Sequence, residues 1–188
     1  MKAAAKIVAR WLSIVALFPF AILCAFGRIH FLFTIFAHVC SQIPGIPGDY
    51  GRTAFYWMTL LDCAIDSRIS FGTFFAHREA SVGSRAYIGS YCVLGRTRIG
   101  AHTLIASHVQ ILSGRRQHAR DEAGKILSDD WGTYVEVAVG ANCWIGAGAI
   151  VMADVGDGTT IGAGAVVTKP IPARSVAVGN PARVVRQA

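Results

Sequence analysis

A six-residue repeat constrains this 188-residue chain more than any other feature of its sequence. Each unit opens with an aliphatic residue, continues with glycine or alanine, and has a small or β-branched residue in its fifth place. Because six residues advance an α-helix by about 1.7 turns, a helix with this period cannot keep one apolar face. The eight units are VGSRAY (from 82), IGSYCV (88), IGAHTL (99), IASHVQ (105), VGANCW (139), IGAGAI (145), VGDGTT (155) and IGAGAV (161).

The repeat predicts a mainly-β fold, a parallel β-helix in which each unit contributes one short strand and one turn. We expect the aliphatic residue and the fifth residue to point into a narrow core, and the glycine to permit the turn. Three units complete a triangular coil, so that residues 18 apart stack about 4.8 Å apart. The period shortens between Ile88 and Ile99 and between Val151 and Val155, where we expect tighter corners within a continuous coil.

Five cysteines occur without a CxxC pair, and their number is odd. This pattern argues against a disulfide framework and fits a reducing compartment. Cys92 and Cys143 occupy fifth places of the repeat, so we interpret them as small core residues.

Residues 1–44 carry most of the apolar excess of a chain that is 53% hydrophobic. Three cations stand within the first ten residues, and residues 11–26 follow without any charge. The stretch GRIH (27–30) interrupts the apolar sequence, which then continues as FLFTIFAHVC (31–40). We therefore predict a membrane-associated N-terminal segment over residues 1–44, with Met1 on the cytoplasmic side because of the cationic start.

Three arrangements of this segment compete. A cleaved signal peptide is disfavoured because hydrophobicity resumes directly after GRIH. A single spanning helix needs about 20 apolar residues and would contain Arg28 and His30. Two shorter helices that meet at GRIH would form a hairpin or lie along the interface. Spanning, re-entering and lying on the membrane all stay open at this point.

Residues 45–66 are predicted to connect the apolar segment to the coil, which we place at residues 67–188. The aromatic residues Phe55, Tyr56 and Trp57 in the connection suit a membrane interface.

The stretch ILSGRRQHARDEAGKILSDDWGTYVEV (111–137) interrupts the repeat with charged and polar residues. We name the interruption, residues 113–136, the excursion. A loop of this length in a compact domain is usually functional or disordered.

From CWIGAGAIV (143–151) to IGAGAVVTKPIPARSVAVGNPARVVR (161–186), the chain resembles the hexapeptide-repeat acyltransferases, in particular the O-acetyltransferases that modify sugars. The resemblance covers about residues 65–186. It implies a left-handed parallel β-helix, acetyl-CoA as donor, and a sugar hydroxyl as acceptor, in exopolysaccharide or lipopolysaccharide biosynthesis. It also implies a homotrimer with active sites between neighbouring subunits.

The resemblance also implies which residues contact coenzyme A. Four C-terminal cations, at positions 169, 174, 183 and 186, agree with it, since no acidic residue lies among them and such a cluster suits phosphate. A solvated basic tail is the alternative. The implied contacts to the pantetheine arm and the nucleotide are Ala147, Ala163, Thr168, Lys169, Arg183 and Arg186.

Acetyl transfer to a hydroxyl requires a base, and histidine suits this role because its pKa lies near neutrality. In related sugar acetyltransferases the catalytic histidine follows a VQIxTxxH-like stretch, which VQILSG (109–114) matches. Arg116 occupies the position where that histidine would fall, and His118 follows two residues later. We predict His118 as the general base and hold His108 in reserve, whereas a structural role in the loop is the alternative for His118.

Other residues of the excursion are assigned supporting roles. Asp121, or Glu122 beside it, would orient the imidazole as the carboxylate does in a catalytic triad. Arg115 and Arg116 are candidates for binding an anionic acceptor such as a lipid-linked glycan phosphate, or are simply soluble loop residues. We expect direct attack in a ternary complex, with a backbone N–H stabilising the oxyanion and no metal.

A coenzyme A donor and a membrane-associated N-terminus together predict the cytoplasmic face of the inner membrane. Two other functions are weighed against this one. A carbonic-anhydrase-like zinc protein would need three histidines across a subunit boundary, and the spacing of His77, His102 and His108 does not resemble that arrangement. A non-catalytic trimeric scaffold is the second. Nucleic acid is not expected, since no basic-aromatic binding motif is present.

Overall fold

Three α-helices precede the coil in the computed structural model, which describes residues 2–114, 122–126 and 134–187. They are α1 (Lys2–Leu23), α2 (His30–Ser41) and α3 (Gly45–Thr59). Short strands then form three sheets, and the strand order within each sheet advances by one coil at a time. The parallel β-solenoid predicted from the six-residue repeat is thereby confirmed.

The strands of each sheet pair in parallel register, except that β16 runs antiparallel to β15. The third sheet has five strands, one from each of five coils. The first sheet contains β1 (Asp62–Cys63), β4 (Ser81–Val82), β7 (Thr97–Ile99) and β10 (Val137–Val139). The second contains β2 (Arg68–Ile69), β5 (Tyr87–Ile88), β8 (Leu104–Ile105), β11 (Trp144–Ile145), β13 (Thr160–Ile161), β15 (Ser175–Val178) and β16 (Arg183–Gln187). The third contains β3 (Phe74–Phe75), β6 (Val93–Leu94), β9 (Gln110–Ile111), β12 (Ile150–Val151) and β14 (Val166–Val167).

Three corners join these sheets, and each is named after the two sheets that it connects. The excursion leaves the coil at the 3–1 corner, between β9 of the third coil and β10 of the fourth. The 1–2 corner comprises residues 64–67, 83–86, 100–103, 140–143, 156–159 and 172–174. The 2–3 corner comprises residues 70–73, 89–92, 106–109, 146–149 and 162–165. The 3–1 corner comprises residues 76–80, 95–96, 112–114, 134–136, 152–154 and 168–170.

The inward positions of the repeat are occupied as predicted. The aliphatic first residues and the small fifth residues of all eight units are buried, and the apolar ones among them belong to one continuous core. The thiols of Cys92 and Cys143 each donate a hydrogen bond of 3.2 Å to a backbone carbonyl. Both side chains are buried in the core, so their assignment as core residues is confirmed, and this burial raises the pKa of both thiols.

The glycine in the second place has a different role from the one predicted. The left-handed backbone conformation falls on the fourth residue, as at His102 (φ 59°) and His108 (φ 61°), which are both exposed. The second residue instead lies directly against the next coil. A Cβ on Gly89, for example, would lie 2.6 Å from the carbonyl carbon of Ala106. Close stacking of the coils, rather than the turn, therefore requires glycine there.

The two shortened segments keep the coil continuous, as expected. β6 ends at Leu94 and β7 begins at Thr97, whose buried hydroxyl donates to the carbonyl of Val137 at 2.8 Å. In the fifth coil, Val155 forms isolated parallel bridges with Val139 and Ile171 in place of a full strand.

The N-terminal segment contains two helices that separate at the GRIH stretch. Gly27 there has a φ of +84°, and a Cβ at this position would lie 2.5 Å from the carbonyl oxygen of Thr59. α1 includes a 20-residue stretch, Ala4–Leu23, that by length and composition is able to cross a membrane. Large apolar residues cover one side of α1 and are exposed: Ile7, Val8, Trp11, Leu12, Val15, Phe18, Ile22 and Leu23.

Most of the predicted connection, residues 45–66, is helix α3, and the coil already begins at Asp62. Phe55 and Tyr56 were expected at a membrane interface, but both are fully buried, and only Trp57 is exposed. The Tyr56 hydroxyl accepts the backbone N–H of Phe75 at 3.2 Å. These rings therefore cap the first coil instead of facing a membrane.

A buried arginine fixes this helical unit to the coil. Arg52 has no exposed surface, and its Nε donates to the carbonyl of Ile69 at 2.9 Å. The same guanidinium pairs with Asp49 at 2.7 Å. Its Nη1 also donates to three carbonyls at the end of α2, those of Cys40, Ser41 and Ile43.

Candidate active site

Three of the predicted coenzyme A contacts form one column along the 2–3 corner. Ala147 and Ala163 are exposed and lie one coil apart, where the N–H of Gly164 donates to the carbonyl of Ala147 at 2.8 Å. Arg183 continues the column, because it pairs in register with Val178 at the end of β15. The corner thus presents small side chains that end at an exposed cation.

The remaining predicted contacts lie apart from this column. Thr168 and Lys169 follow β14 and stand at the 3–1 corner, on the opposite edge of the third sheet. Arg186 is opposite Val176 in β16, on the second sheet. Within one chain, Ala147, Ala163 and Arg183 therefore lie along the same corner. Thr168, Lys169 and Arg186 lie elsewhere on the coil.

The excursion is closed at its base by a backbone hydrogen bond. The N–H of Val135 donates to the carbonyl of Ser113 at 3.1 Å, and the Ser113 hydroxyl accepts the backbone N–H of Arg96 at 2.8 Å. The excursion shares its corner with Thr168, two coils further on. The predicted residues Arg115, Arg116, His118 and Asp121 lie outside the described residues.

A column of three rings at the base of the excursion was missed by the sequence analysis. His77 lies between His30, with ring centroids 5.8 Å apart and nearly parallel, and Tyr134, at 4.7 Å. Arg96 donates from Nη1 to the carbonyl of Tyr134 at 3.4 Å. Desolvation, helped by the charges of His30 and Arg96, lowers the pKa of His77. The spacing in the sequence could have indicated part of this arrangement. His77 is 19 residues before Arg96, about one coil, so the two residues stack on the same corner.

His108, the second candidate for the general base, lies at the same 2–3 corner as Ala147 and Ala163. Its ring stacks on Tyr91 with centroids 5.2 Å apart and an interplanar angle of 11°. The N–H of Gly148 donates to the carbonyl of Ser107, so His108 stands one coil from Ala147.

Comparison with known proteins agrees with this geometry. A family model described as bacterial transferase hexapeptide (six repeats) matches residues 136–169, which include Ala147, Ala163 and Thr168. The match is to the repeat itself and is confined to this part of the chain. The match covers β10 to β14, so it includes Ala147 and Ala163 of the column and ends before Arg183.

One relative of this chain is a protein of Escherichia coli (strain K12) named as the colanic acid biosynthesis acetyltransferase WcaF. The two are 31% identical over 114 residues, which are 58% of this chain and 59% of that protein. The hexapeptide chain therefore spans less than two thirds of that relative's length.

Two solved structures share the hexapeptide fold. A hexapeptide-repeat-containing acetyltransferase from Vibrio cholerae superposes with a TM-score of 0.67 at 19% identity, over 87% of this chain and 90% of that one. A galactoside acetyltransferase in complex with coenzyme A superposes with a TM-score of 0.67 at 23% identity, over 86% and 78%. At these identities the likeness shows the fold alone.

The zinc alternative gains no support from the hexapeptide coil. His77, His102 and His108 lie on three different corners. Among the described residues, no group of three histidine, cysteine or acidic side chains is placed to hold a metal ion.

Proposed function

We propose that the protein is an acetyl-CoA-dependent O-acetyltransferase that acetylates a sugar hydroxyl in exopolysaccharide or lipopolysaccharide biosynthesis. The observation that carries this proposal is the column in which Ala147 and Ala163, both within the matched repeat, are followed by the exposed Arg183. The likeness to WcaF, named for colanic acid biosynthesis, and to a galactoside acetyltransferase with coenzyme A supports it.

The column suits an extended donor. Ala147 and Ala163 expose only a methyl group each, so a pantetheine arm can lie flat against the 2–3 corner. The Arg183 guanidinium at the end of the column offers planar donors to a phosphate. Lys169, Thr168 and Arg186 are assigned to the nucleotide on the strength of the family resemblance.

The reaction follows from the chemistry of a thioester and an alcohol. The sugar oxygen attacks the acetyl carbonyl carbon while His118 takes its proton, and the C–S bond then breaks. The leaving thiolate receives the proton from the imidazolium, so no covalent enzyme intermediate forms. Asp121 orients His118, and Arg115 with Arg116 binds an anionic group of the acceptor.

A homotrimer would complete this site. Within one chain the coenzyme A column and the excursion lie on opposite edges of the third sheet, so a neighbouring subunit would bring its excursion to the column. The second sheet also exposes an apolar stripe, in which Leu104 (50% exposed) pairs in register with Trp144 (59%). Contact between subunits would remove this surface from water.

The N-terminal segment supports a place on the membrane. One side of α1 is apolar and exposed, whereas Ala21 on the other side, and Cys24 directly after the helix, are fully buried against the protein. A helix fixed to its own protein along one side is suited to lie in the interface rather than to span alone. We propose the cytoplasmic face of the inner membrane, where coenzyme A and a lipid-linked glycan acceptor meet.

The test is turnover of acetyl-CoA by full-length protein with extracts of lipid-linked glycans, followed by mass spectrometry of the product. We expect an acceptor that gains one acetyl group together with release of coenzyme A. Protein that binds coenzyme A but acetylates no glycan would contradict the acceptor class. Protein that binds no coenzyme A would fit the trimeric scaffold instead.

A further inference from the structure

A cavity of about 380 Å³ lies between α1, α3 and the first coil, away from the proposed active site. It is on the side of the 1–2 corner, whereas the coenzyme A column and the excursion lie on the other two corners. Its walls are Lys6 and Arg10 of α1, Ile46, Asp49, Tyr50 and Thr53 of α3, and Ile65, Asp66, Ser67 and Arg68 of the coil.

The acidic residues of this cavity are already bonded. Asp49 pairs with Arg52 at 2.7 Å and with Arg68 at 2.7 Å. The Asp66 carboxylate accepts the hydroxyl of Ser84 at 2.8 Å and the backbone N–H of Arg85 at 3.3 Å. The cavity therefore has no carboxylate that lacks a donor.

The two cations from α1 have no such partner. Across residues 2–114, 122–126 and 134–187, neither Lys6 nor Arg10 forms an ion pair within 4.0 Å. Desolvation raises the pKa of the Asp66 carboxyl, but the hydrogen bonds from Ser84 and Arg85 and the charge of Arg10 lower it by more. Lys6 and Arg10 are four residues apart, so both side chains lie on one face of the helix.

The orientation of α1 places the cavity behind an exposed apolar face of the helix. Lys6 and Arg10 share the helix face of Leu17 and Ala21, which is the face that packs on the protein. The opposite face exposes Trp11 at 62% and Val15 at 69%. If the exposed face enters the acyl region of a bilayer, the cations behind it stand at the depth of the headgroups.

We infer that this cavity binds the phosphate of an anionic glycerophospholipid headgroup, with Lys6 and Arg10 as its ligands. The inference rests on the membrane association proposed above. A guanidinium and an ammonium on adjacent turns match a phosphate diester, and the hydroxyls of Tyr50 and Thr53 lie in the same wall. The exposed side chain of Ile46 at the rim and the apolar face of α1 fit the acyl chains.

The test measures sedimentation of full-length protein with vesicles of phosphatidylcholine alone, and of phosphatidylcholine with an equal amount of phosphatidylglycerol. We expect wild-type protein to prefer the anionic vesicles. Arg10→Gln should reduce that preference by roughly 10–100-fold, which is the loss of a charge-assisted hydrogen bond. Arg10→Lys keeps the charge but lacks the planar guanidinium. Its preference for anionic vesicles should lie between those of the wild-type protein and Arg10→Gln.

Arg28→Gln is the matched control, because Arg28 is an exposed cation of the same segment outside the cavity. General attraction to an anionic surface is worth about fivefold for each cation. Equal losses for Arg10→Gln and Arg28→Gln would therefore overturn the site. Denaturant unfolding of each variant reports whether the protein is folded.

Three further outcomes are decisive. Stabilisation of the protein against unfolding by inorganic phosphate, with no added stabilisation by phosphatidylglycerol vesicles, would assign the cavity to free phosphate. That result would overturn the proposal of a lipid ligand. Protein that sediments with neither kind of vesicle would overturn both this inference and the proposed membrane association. Strong binding to neutral vesicles with no response to Arg10→Gln would overturn this inference alone.

Discussion

The Nε of Arg52 donates a 2.9 Å hydrogen bond to the carbonyl oxygen of Ile69, so a fully buried charge of α3 is bonded to the first coil. The same side chain satisfies three carbonyls at the end of α2. One residue thus joins both helices to the solenoid, and it explains why the helical segment is part of the folded unit.

Replacement of Arg52 by lysine should destabilise the protein by about 3–5 kcal/mol, because a single ammonium cannot serve all these acceptors and leaves Asp49 poorly paired. Denaturant unfolding of the purified protein measures this loss. Arg68→Lys is the control, since Arg68 also pairs with Asp49 but its side chain is 60% exposed. It should cost no more than about 1 kcal/mol. Equal losses for the two variants would refute the proposed role of Arg52.

The glycines of the repeat should respond to substitution according to their place. Gly89→Ala puts a Cβ 2.6 Å from the backbone of the next coil and should cost roughly 1–3 kcal/mol. Gly158 has a φ of +66° and only ordinary contacts, and Asn142 adopts the same conformation one coil earlier. Gly158→Asn should therefore be close to neutral in denaturant unfolding. The reverse order of the two losses would contradict the stacking argument.

His77 should make stability depend on pH. Because its pKa in the folded protein is lowered by desolvation and by His30 and Arg96, with Glu79 opposing, the unfolded chain binds the proton more readily. Its neutral form supports the fold above the ordinary pKa near 6.5, and that contribution is lost as the pH falls below it. His77→Phe keeps the ring contact with Tyr134 and should flatten the stability profile between pH 5 and 7. An unchanged slope in thermal unfolding over this range would contradict the assignment.

A bulky residue in the 2–3 column should block coenzyme A without disturbing the fold. Ala163 and Ala173 are both exposed third-place residues, at the 2–3 and the 1–2 corner respectively. Ala163→Phe should weaken coenzyme A binding by at least about tenfold in calorimetry, because the ring covers the surface where the pantetheine arm lies. Ala173→Phe should leave the affinity unchanged. A loss of the same size at Ala173 would show that the column is not the donor site.

The coil could be predicted from the sequence because a period of six fixes which residues are inward. Ile145 and Cys143 were assigned to the core from their place alone, and both are buried. α3 could not be read in the same way, because GIPGDYGRT opens with turn residues and has no clear apolar periodicity. Its helix is stabilised by tertiary contacts such as the burial of Arg52 and Tyr56. Local propensity does not contain that information.

The site was predicted unevenly for a related reason. Ala147 and Ala163 come together because residues of successive coils stack, which the repeat dictates. The ring column at His77 joins α2, the first coil and the end of the excursion, so it depends on three segments that no single period relates. Stacking of His77 and Arg96 on one corner was predictable, but the approach of His30 was not.

His118 is the proposed general base. His118→Ala should lower turnover by roughly 10²–10⁴ while coenzyme A affinity and unfolding stay unchanged, since a base contributes to the transition state and not to donor binding. His108→Ala is the matched comparison, because His108 stands one coil from Ala147 in the donor column. It should reduce coenzyme A affinity more than the rate of the chemical step. Single-turnover kinetics separates the two effects. Retained turnover in His118→Ala together with its loss in His108→Ala would transfer the role of base to the column and leave the excursion with acceptor binding alone.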